Sequence, residues 1–239
     1  MKAYARTNIG KTRQVNQDAY YLPAEGERFA AVADGMGGHR AGEVASAIAV
    51  TEFSRWLRWA AKPDEDALNH AVAEANHAIY MEAKRDPLKA GMGTTLTAVW
   101  LDTSDVYLAH VGDSRAYLYR KGALIQLSRD HSLVGEMLEK GVITYNEALT
   151  HPQRNYITRA LGTGKSIEAD ILRLDYKKED VWLLCTDGLT NGVSTYEIAA
   201  ILAKDTPWEQ KLDEMVQLAL DRGGRDNITA LLVTGEGEE

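Results

Sequence analysis

The chain has 239 residues, 45% hydrophobic and 26% charged, the balance of an ordinary globular domain with ample length for a buried core. Twenty-seven basic against 35 acidic residues leave a net charge of -8, which disfavours the electrostatic grip that nucleic acid or an anionic membrane surface requires. A single cysteine excludes an internal disulfide and suits a reducing cytosol. No apolar run approaches the roughly 20 residues of a membrane span, and the polar start at Met1-Lys2-Ala3-Tyr4-Ala5-Arg6 does not read as a signal peptide.

In chain order, short strand-like runs at residues 19–21 and 29–33 come first. Ala45, Ile48, Ala49, Phe53, Trp56 and Leu57 then recur at helical spacing within 42–60, and Leu68, Val72, Ala75, Ile79 and Ala83 do so within 64–85. Pro63 separates the two, which predicts an antiparallel helix pair. Strand-like runs follow at 94–101, 106–111, 115–120 and 123–127, joined by loops too short for a crossover helix, so this part of the sheet is antiparallel. Between about 130 and 165 lies a helical flap. Leu133, Val134, Met137 and Leu138 suggest one short helix, and Thr144-Tyr145-Asn146-Glu147 is a capping box for a second. Runs at 171–174, 181–186 and 228–233 supply further strands. Ser194-Thr195-Tyr196-Glu197 and Thr206-Pro207-Trp208-Glu209 read as capping boxes of two late helices, the second with an apolar stripe through Leu212, Met215, Val216, Ala219 and Leu220. The order predicts an α+β sandwich with helices covering sheets on both sides. It forms one domain over residues 1–235, with 236–239 as an acidic tail.

Two phosphate-binding signatures fail. Gly162-Thr163-Gly164-Lys165-Ser166 resembles the end of a P-loop, but Arg159 stands where its first glycine belongs. Gly35 and Gly37 fit a dinucleotide fingerprint whose third glycine position holds Arg40. The polar stops of the strands carry the chemistry instead, because they are repeatedly aspartate: Asp34 after the run at 29–33, Asp113 in the turn after 106–111, Asp187 after 181–186, Asp226 before 228–233, and Asp18 before 19–21. Any one reads as a turn residue. As a set on one rim, their charges repel unless a cation sits among them. Oxygen-only donors suit magnesium or manganese, and two such ions activate a water against phosphate.

In this order stand Arg13-Gln14-Val15-Asn16-Gln17-Asp18, Asp34-Gly35-Met36-Gly37-Gly38-His39-Arg40-Ala41-Gly42-Glu43, Gly91-Met92-Gly93-Thr94-Thr95, Gly112-Asp113-Ser114-Arg115, Asp187-Gly188-Leu189 and Gly224-Arg225-Asp226-Asn227. Together, over nearly the whole chain, they resemble the metal-dependent serine/threonine protein phosphatases (type 2C, or PPM) in their compact bacterial form. The resemblance implies a four-layer αββα sandwich of two mainly antiparallel sheets flanked by helix pairs. It implies two core Mn2+ or Mg2+ ions held by Asp34, the Gly35 carbonyl, Asp187 and Asp226, with Asp18 acting through bound water. Asp113 with Asp187 would hold a third, weaker ion, and Arg13 would clamp the phosphoryl oxygens. Two positions depart from relatives: Gln17 replaces a common glutamate, and Met36 stands where animal members carry a histidine proposed as general acid. His39, three residues on, is the substitute acid. The expected activity is hydrolysis of phosphoserine and phosphothreonine in proteins, including a cognate kinase, by a cytoplasmic monomer. The competing readings are a silent phosphoprotein-binding module and a phosphatase for small phosphoesters.

Overall fold

The structure, a computed structural model, describes residues 1–37, 41–60 and 62–235, without the side chains at 145 and 149. Two antiparallel sheets stack face to face. The first has the order β1-β11-β10-β7-β8, with β1 at Lys2–Asn8, β7 at Arg115–Arg120, β8 at Ala123–Gln126, β10 at Val181–Cys185 and β11 at Ile228–Thr234. The second has the order β2-β3-β5-β6-β9, with β2 at Asp18–Tyr21, β3 at Phe29–Met36, β5 at Leu96–Leu101, β6 at Asp105–Val111 and β9 at Asp170–Asp175. The two-residue β4, Gly93–Thr94, also pairs with β3. Helices α1 (Ala41–Trp59) and α2 (Glu65–Arg85) cover the second sheet, and α6 (Thr195–Leu202) and α7 (Trp208–Asp221) cover the first.

Three buried clusters fill the three gaps between the four layers. Along β3, Phe29, Ala31 and Ala33 pack under α1 and α2, whereas Ala30 and Val32 point between the sheets. Along β10, Val181, Leu183 and Cys185 face α6 and α7, whereas Trp182 and Leu184 point between the sheets. Period-two alternation with both faces buried makes these strands continuously apolar, which is why they stand out in the sequence. Cys185 is core, as its apolar strand predicts.

The expected four-layer α+β architecture is observed, with local differences. β1 has no counterpart among the predicted runs: it is an edge strand whose inward residues, Ala3 and Ala5, are small. The run at 94–101 is split at Thr95 into β4 and β5. Ser194 caps α6 in a reciprocal capping box with Glu197. Helix α7 has Pro207 at its N-cap and no side-chain cap, so the Thr206 box does not form. Between the sheets' long connections, α3 (Leu133–Glu139) and α4 (Tyr145–Thr150, boxed by Thr144 and Glu147) make the flap, closed at its base by the Ser132–Ile157 bridge. Among the described residues no helix is long and apolar enough to cross a membrane.

Candidate active site

Strand direction gathers the aspartates. β2 runs against β3, so the start of one lies at the end of the other, and the register sets Asp18 directly opposite Asp34. β11 runs against β10, bringing Asp226 to the end where Asp187 opens the single-turn α5 (Asp187–Thr190). β6 lies parallel to β3 through their common neighbour β5, and β7 pairs with β10 so that Arg115 faces Cys185, which brings the Asp113 turn to the same rim. On β3, Asp34 continues the face of Ala30 and Val32 that points between the sheets. Two like charges opposite one another on a ladder are destabilising, so this register has a local cost.

The surroundings define each carboxylate. Asp18 Oδ2 accepts hydrogen bonds from Thr229 Oγ1 at 2.6 Å, on β11 of the facing sheet, and from Thr186 Oγ1 at 3.0 Å, just past the end of β10, which fixes the carboxylate across the gap. The backbone of Asp34 is held by threonines: its N–H donates to Thr95 Oγ1 at 2.8 Å and its carbonyl accepts from Thr94 Oγ1 at 2.8 Å. Asp187 Oδ2 accepts from Asn191 Nδ2 at 3.0 Å. Asp226 Oδ2 takes Arg13 Nη2 at 2.8 Å. Gly35 is pinned between the Gln17 loop and α1. Its N–H donates to the Gln17 carbonyl, and a Cβ there would sit 2.0 Å from the Gly42 carbonyl, so no other residue fits.

The other oxygens test whether a cation fits. Asp18 Oδ1, Asp113 Oδ1 and Asp187 Oδ1 are buried and have no hydrogen-bond partner. Burial first, then the charges of Asp18, Asp187, Asp113 and Asp226, hold the Asp34 carboxyl well above its usual range. Burial likewise pushes Asp18 up to about 7, Asp113 to about 8 and Asp187 to about 6, each with neighbouring aspartates adding to the rise. Among the described residues no three acidic, histidine or cysteine side chains close into a ready cage. What the rim presents is uncancelled negative charge with unused hard oxygen donors around one space, the chemistry that a hard divalent cation satisfies.

Several positioning residues escape a local reading of the sequence. Asn227, 4% exposed, donates from Nδ2 to the carbonyls of Ile9 at 2.9 Å and Val15 at 3.0 Å, and its Oδ1 accepts from Gln17 N–H at 2.8 Å. It staples the loop that carries Arg13. Gly10 completes that closure with φ +80° and a Cβ position only 2.2 Å from the Asp226 carbonyl. Buried His131 accepts the Gly112 N–H at Nδ1 and donates its own N–H to the Gly112 carbonyl, while Nε2 stands 3.1 Å from Asp170, so it anchors the Asp113 turn. Arg115 forks onto Asp130 with bonds down to 2.6 Å. The signals present were an asparagine beside Asp226 and threonines at strand ends, but their partners lie about 170 to 220 residues away.

Arg13, Asp113, Asp187 and Asp226 border a cleft of about 890 Å3 walled by the flap on its other side, and Asp18 and Asp34 are not part of its lining. His39 lies outside the described residues.

The profile of the family described as "Protein phosphatase 2C" matches residues 9–233. The chain is 40% identical over 240 residues to the serine/threonine phosphatase stp of Listeria monocytogenes, covering 98% of this chain and 95% of that protein. Its fold superposes on the crystal structure of the Mycobacterium tuberculosis serine/threonine phosphatase PstP/Ppp with a TM-score of 0.92, at 36% identity and 99% coverage of both chains. It also matches the catalytic domain of serine threonine protein phosphatase PstP in complex with two manganese ions, with a TM-score of 0.88, 36% identity and coverage of 97% and 96%. With the family match spanning nearly its whole length on top of this rim, the chain belongs to the protein phosphatase 2C family.

Proposed function

We propose that this chain hydrolyses phosphoserine and phosphothreonine in proteins, with manganese or magnesium held on the aspartate rim. The observation that carries the reading is the pair of buried, unpartnered oxygens of Asp113 and Asp187 on a cleft that also presents Arg13, with a third such oxygen on Asp18 behind it. Asp34, the Gly35 carbonyl, Asp187 and Asp226 would hold a core pair of ions, Asp18 would act there through water, and Asp113 with Asp187 would hold a third, weaker ion. Bound there, the cations supply Lewis acidity, which acidifies a water and offsets phosphoryl charge.

The rest is done by the chain. Arg13 is half exposed and uses one nitrogen on Asp226, which leaves the remainder of a planar, permanently charged fork for phosphoryl oxygens. Thr186 and Thr229 hold Asp18 so that one oxygen is spent and the other is free. His39 protonates the departing serine or threonine oxygen. Residues 1–235 form a single catalytic unit, with the flap at about 130–165 shaping access for protein substrates. The unit works as a monomer in the cytoplasm on phosphorylated proteins, a cognate serine/threonine kinase among them. It inserts in no membrane and binds no nucleic acid.

The test is phosphate release from a phosphothreonine peptide and from a sugar phosphate across a manganese titration. The peptide should be the better substrate, only with metal, and Asp187→Asn should lose at least about a hundredfold in kcat. Chelated enzyme working at full rate, or a sugar phosphate turned over faster than the peptide, overturns the reading.

A further inference from the structure

We propose that Arg154 and Arg225 form a second anion-reading site beside the reaction centre, which selects substrates carrying a negatively charged group next to the phosphoresidue. The inference rests on the phosphatase reading above and deepens it.

The arginines of this chain are nearly all committed. Among the described residues Arg6, Arg13, Arg55, Arg58, Arg85, Arg115, Arg120, Arg129, Arg159, Arg173 and Arg222 each pair with a carboxylate, and Arg28 donates to a backbone carbonyl. Arg154 and Arg225 alone among them have a guanidinium with neither an ion pair nor a hydrogen bond. Both are exposed, and both line the cleft that holds Asp113, Asp187 and Asp226. They come from different walls. Arg154 follows α4 in the flap, and Arg225 immediately precedes Asp226, whose carboxylate holds Arg13.

In a chain of net charge -8, two free arginines converging on one cleft are not explained by a general basic surface. They cannot be spent on the rim aspartates if cations occupy the rim. The acid that remains in the cleft wall, Asp130, is already engaged by Arg115. What a free guanidinium fork takes is a carboxylate or a phosphate, bidentate and planar. An extended peptide advances about 3.3 Å per residue and alternates sides, so acids within a few positions of the phosphoresidue reach the walls beside the Arg13 site. The cleft, at about 890 Å3, is far larger than a single phosphoserine needs.

The experiment uses three phosphothreonine peptides of one sequence with manganese-loaded full-length enzyme. One has neutral neighbours, one has glutamate neighbours and one has a second phosphothreonine. The wild type should favour the acidic peptides by about five- to tenfold in kcat/KM through KM, the scale of two partly exposed ion pairs, and the preference should shrink with added salt. Comparing the glutamate and diphosphorylated peptides shows which anion is read. In Arg154→Gln/Arg225→Gln the ratio of acidic to neutral peptide should fall towards one, and Arg154→Lys should keep part of it. Because the readout is a ratio, damage to the neighbouring Asp226 lowers both peptides and leaves it legible. Equal wild-type turnover of neutral and acidic peptides, or a ratio unchanged in the double variant, overturns this inference alone. Failure of all three peptides while a small phosphoester is hydrolysed overturns the protein-phosphatase reading, and this inference with it.

Discussion

The gap between the sheets and the rim that closes it are built from the same strands, and they obey opposite rules. In the gap, Trp182, Leu184, Val32 and Leu231 are fully buried and carry no charge. Two residues beyond Val32, on the same face of the same strand, stands Asp34 opposite Asp18. Burial of apolar area stabilises the first region outright. The second is only partly exposed, yet it stores like-charge repulsion and unpaired oxygens. The interior therefore holds the rim together against its own charges, and the rim depends on something positive from outside.

Substitutions of opposite sign break or sharpen that contrast. Trp182→Ala removes the largest fully buried side chain between the sheets and should cost about 3–5 kcal/mol in denaturant unfolding, with or without manganese. Asp34→Asn should act the other way in chelated protein. Removing one of several repelling charges raises the unfolding midpoint by an amount on the order of 1 kcal/mol, while the stabilisation that manganese gives the wild type disappears. If Asp34→Asn instead lowers the metal-free midpoint as Trp182→Ala does, the rim is not charge-stressed.

Asn227→Ala tests the seam between the regions. It leaves two partly buried carbonyls and one partly buried N–H without their partner and should cost about 1–2 kcal/mol. Because the freed loop carries Arg13, KM for a phosphopeptide should rise in the refolded variant. A normal KM would detach the staple from the site.

These three residues mark how far local pattern reaches. Trp182 was legible because both faces of β10 are buried and its run is wholly apolar. Asp34 and its counterparts were legible because a charged stop after such a run is conspicuous, and because short loops fixed the antiparallel order that brings the stops to one rim. Asn227 was not, since nothing in its neighbourhood announces partners at Ile9, Val15 and Gln17. The same holds for Thr186 and Thr229, whose bonds to Asp18 cross the gap between the sheets. β1 was missed because its inward side chains are alanines, too small for a clear alternation.

The pH dependence follows from the rim's raised carboxyls. Asp187, Asp18 and Asp113 titrate near 6, 7 and 8 in the folded chain, against roughly 4 when unfolded. Between about pH 4 and 8 the folded form therefore holds more protons, so metal-free stability falls as pH rises. The melting temperature of chelated protein should be lower at pH 8 than at pH 5.5, and Asp113→Asn should flatten that slope. With manganese the trend should weaken or reverse, because cation and proton compete for the same oxygens. A flat metal-free profile would mean that the carboxylates are relieved by something other than protons or metal.

The smallest expected effect separates two look-alike sequences far from the rim. Ser194-Thr195-Tyr196-Glu197 and Thr206-Pro207-Trp208-Glu209 have the same capping pattern, yet only the first makes the reciprocal bonds, with Ser194 accepting from the Glu197 N–H and Glu197 accepting from the Ser194 N–H. At the second, Pro207 itself occupies the N-cap, which puts Glu209 one position short of the box's partner place, and the proline ring has no N–H to be accepted. Arg222 reinforces the first box by pairing with Glu197, so that cap also ties α6 to the end of α7. Ser194→Ala should then cost about 1 kcal/mol in thermal unfolding, and Thr206→Ala should stay within about 0.5 kcal/mol of the wild type. Equal costs at the two positions would place a working cap at Thr206 and move the start of α7 back by one residue.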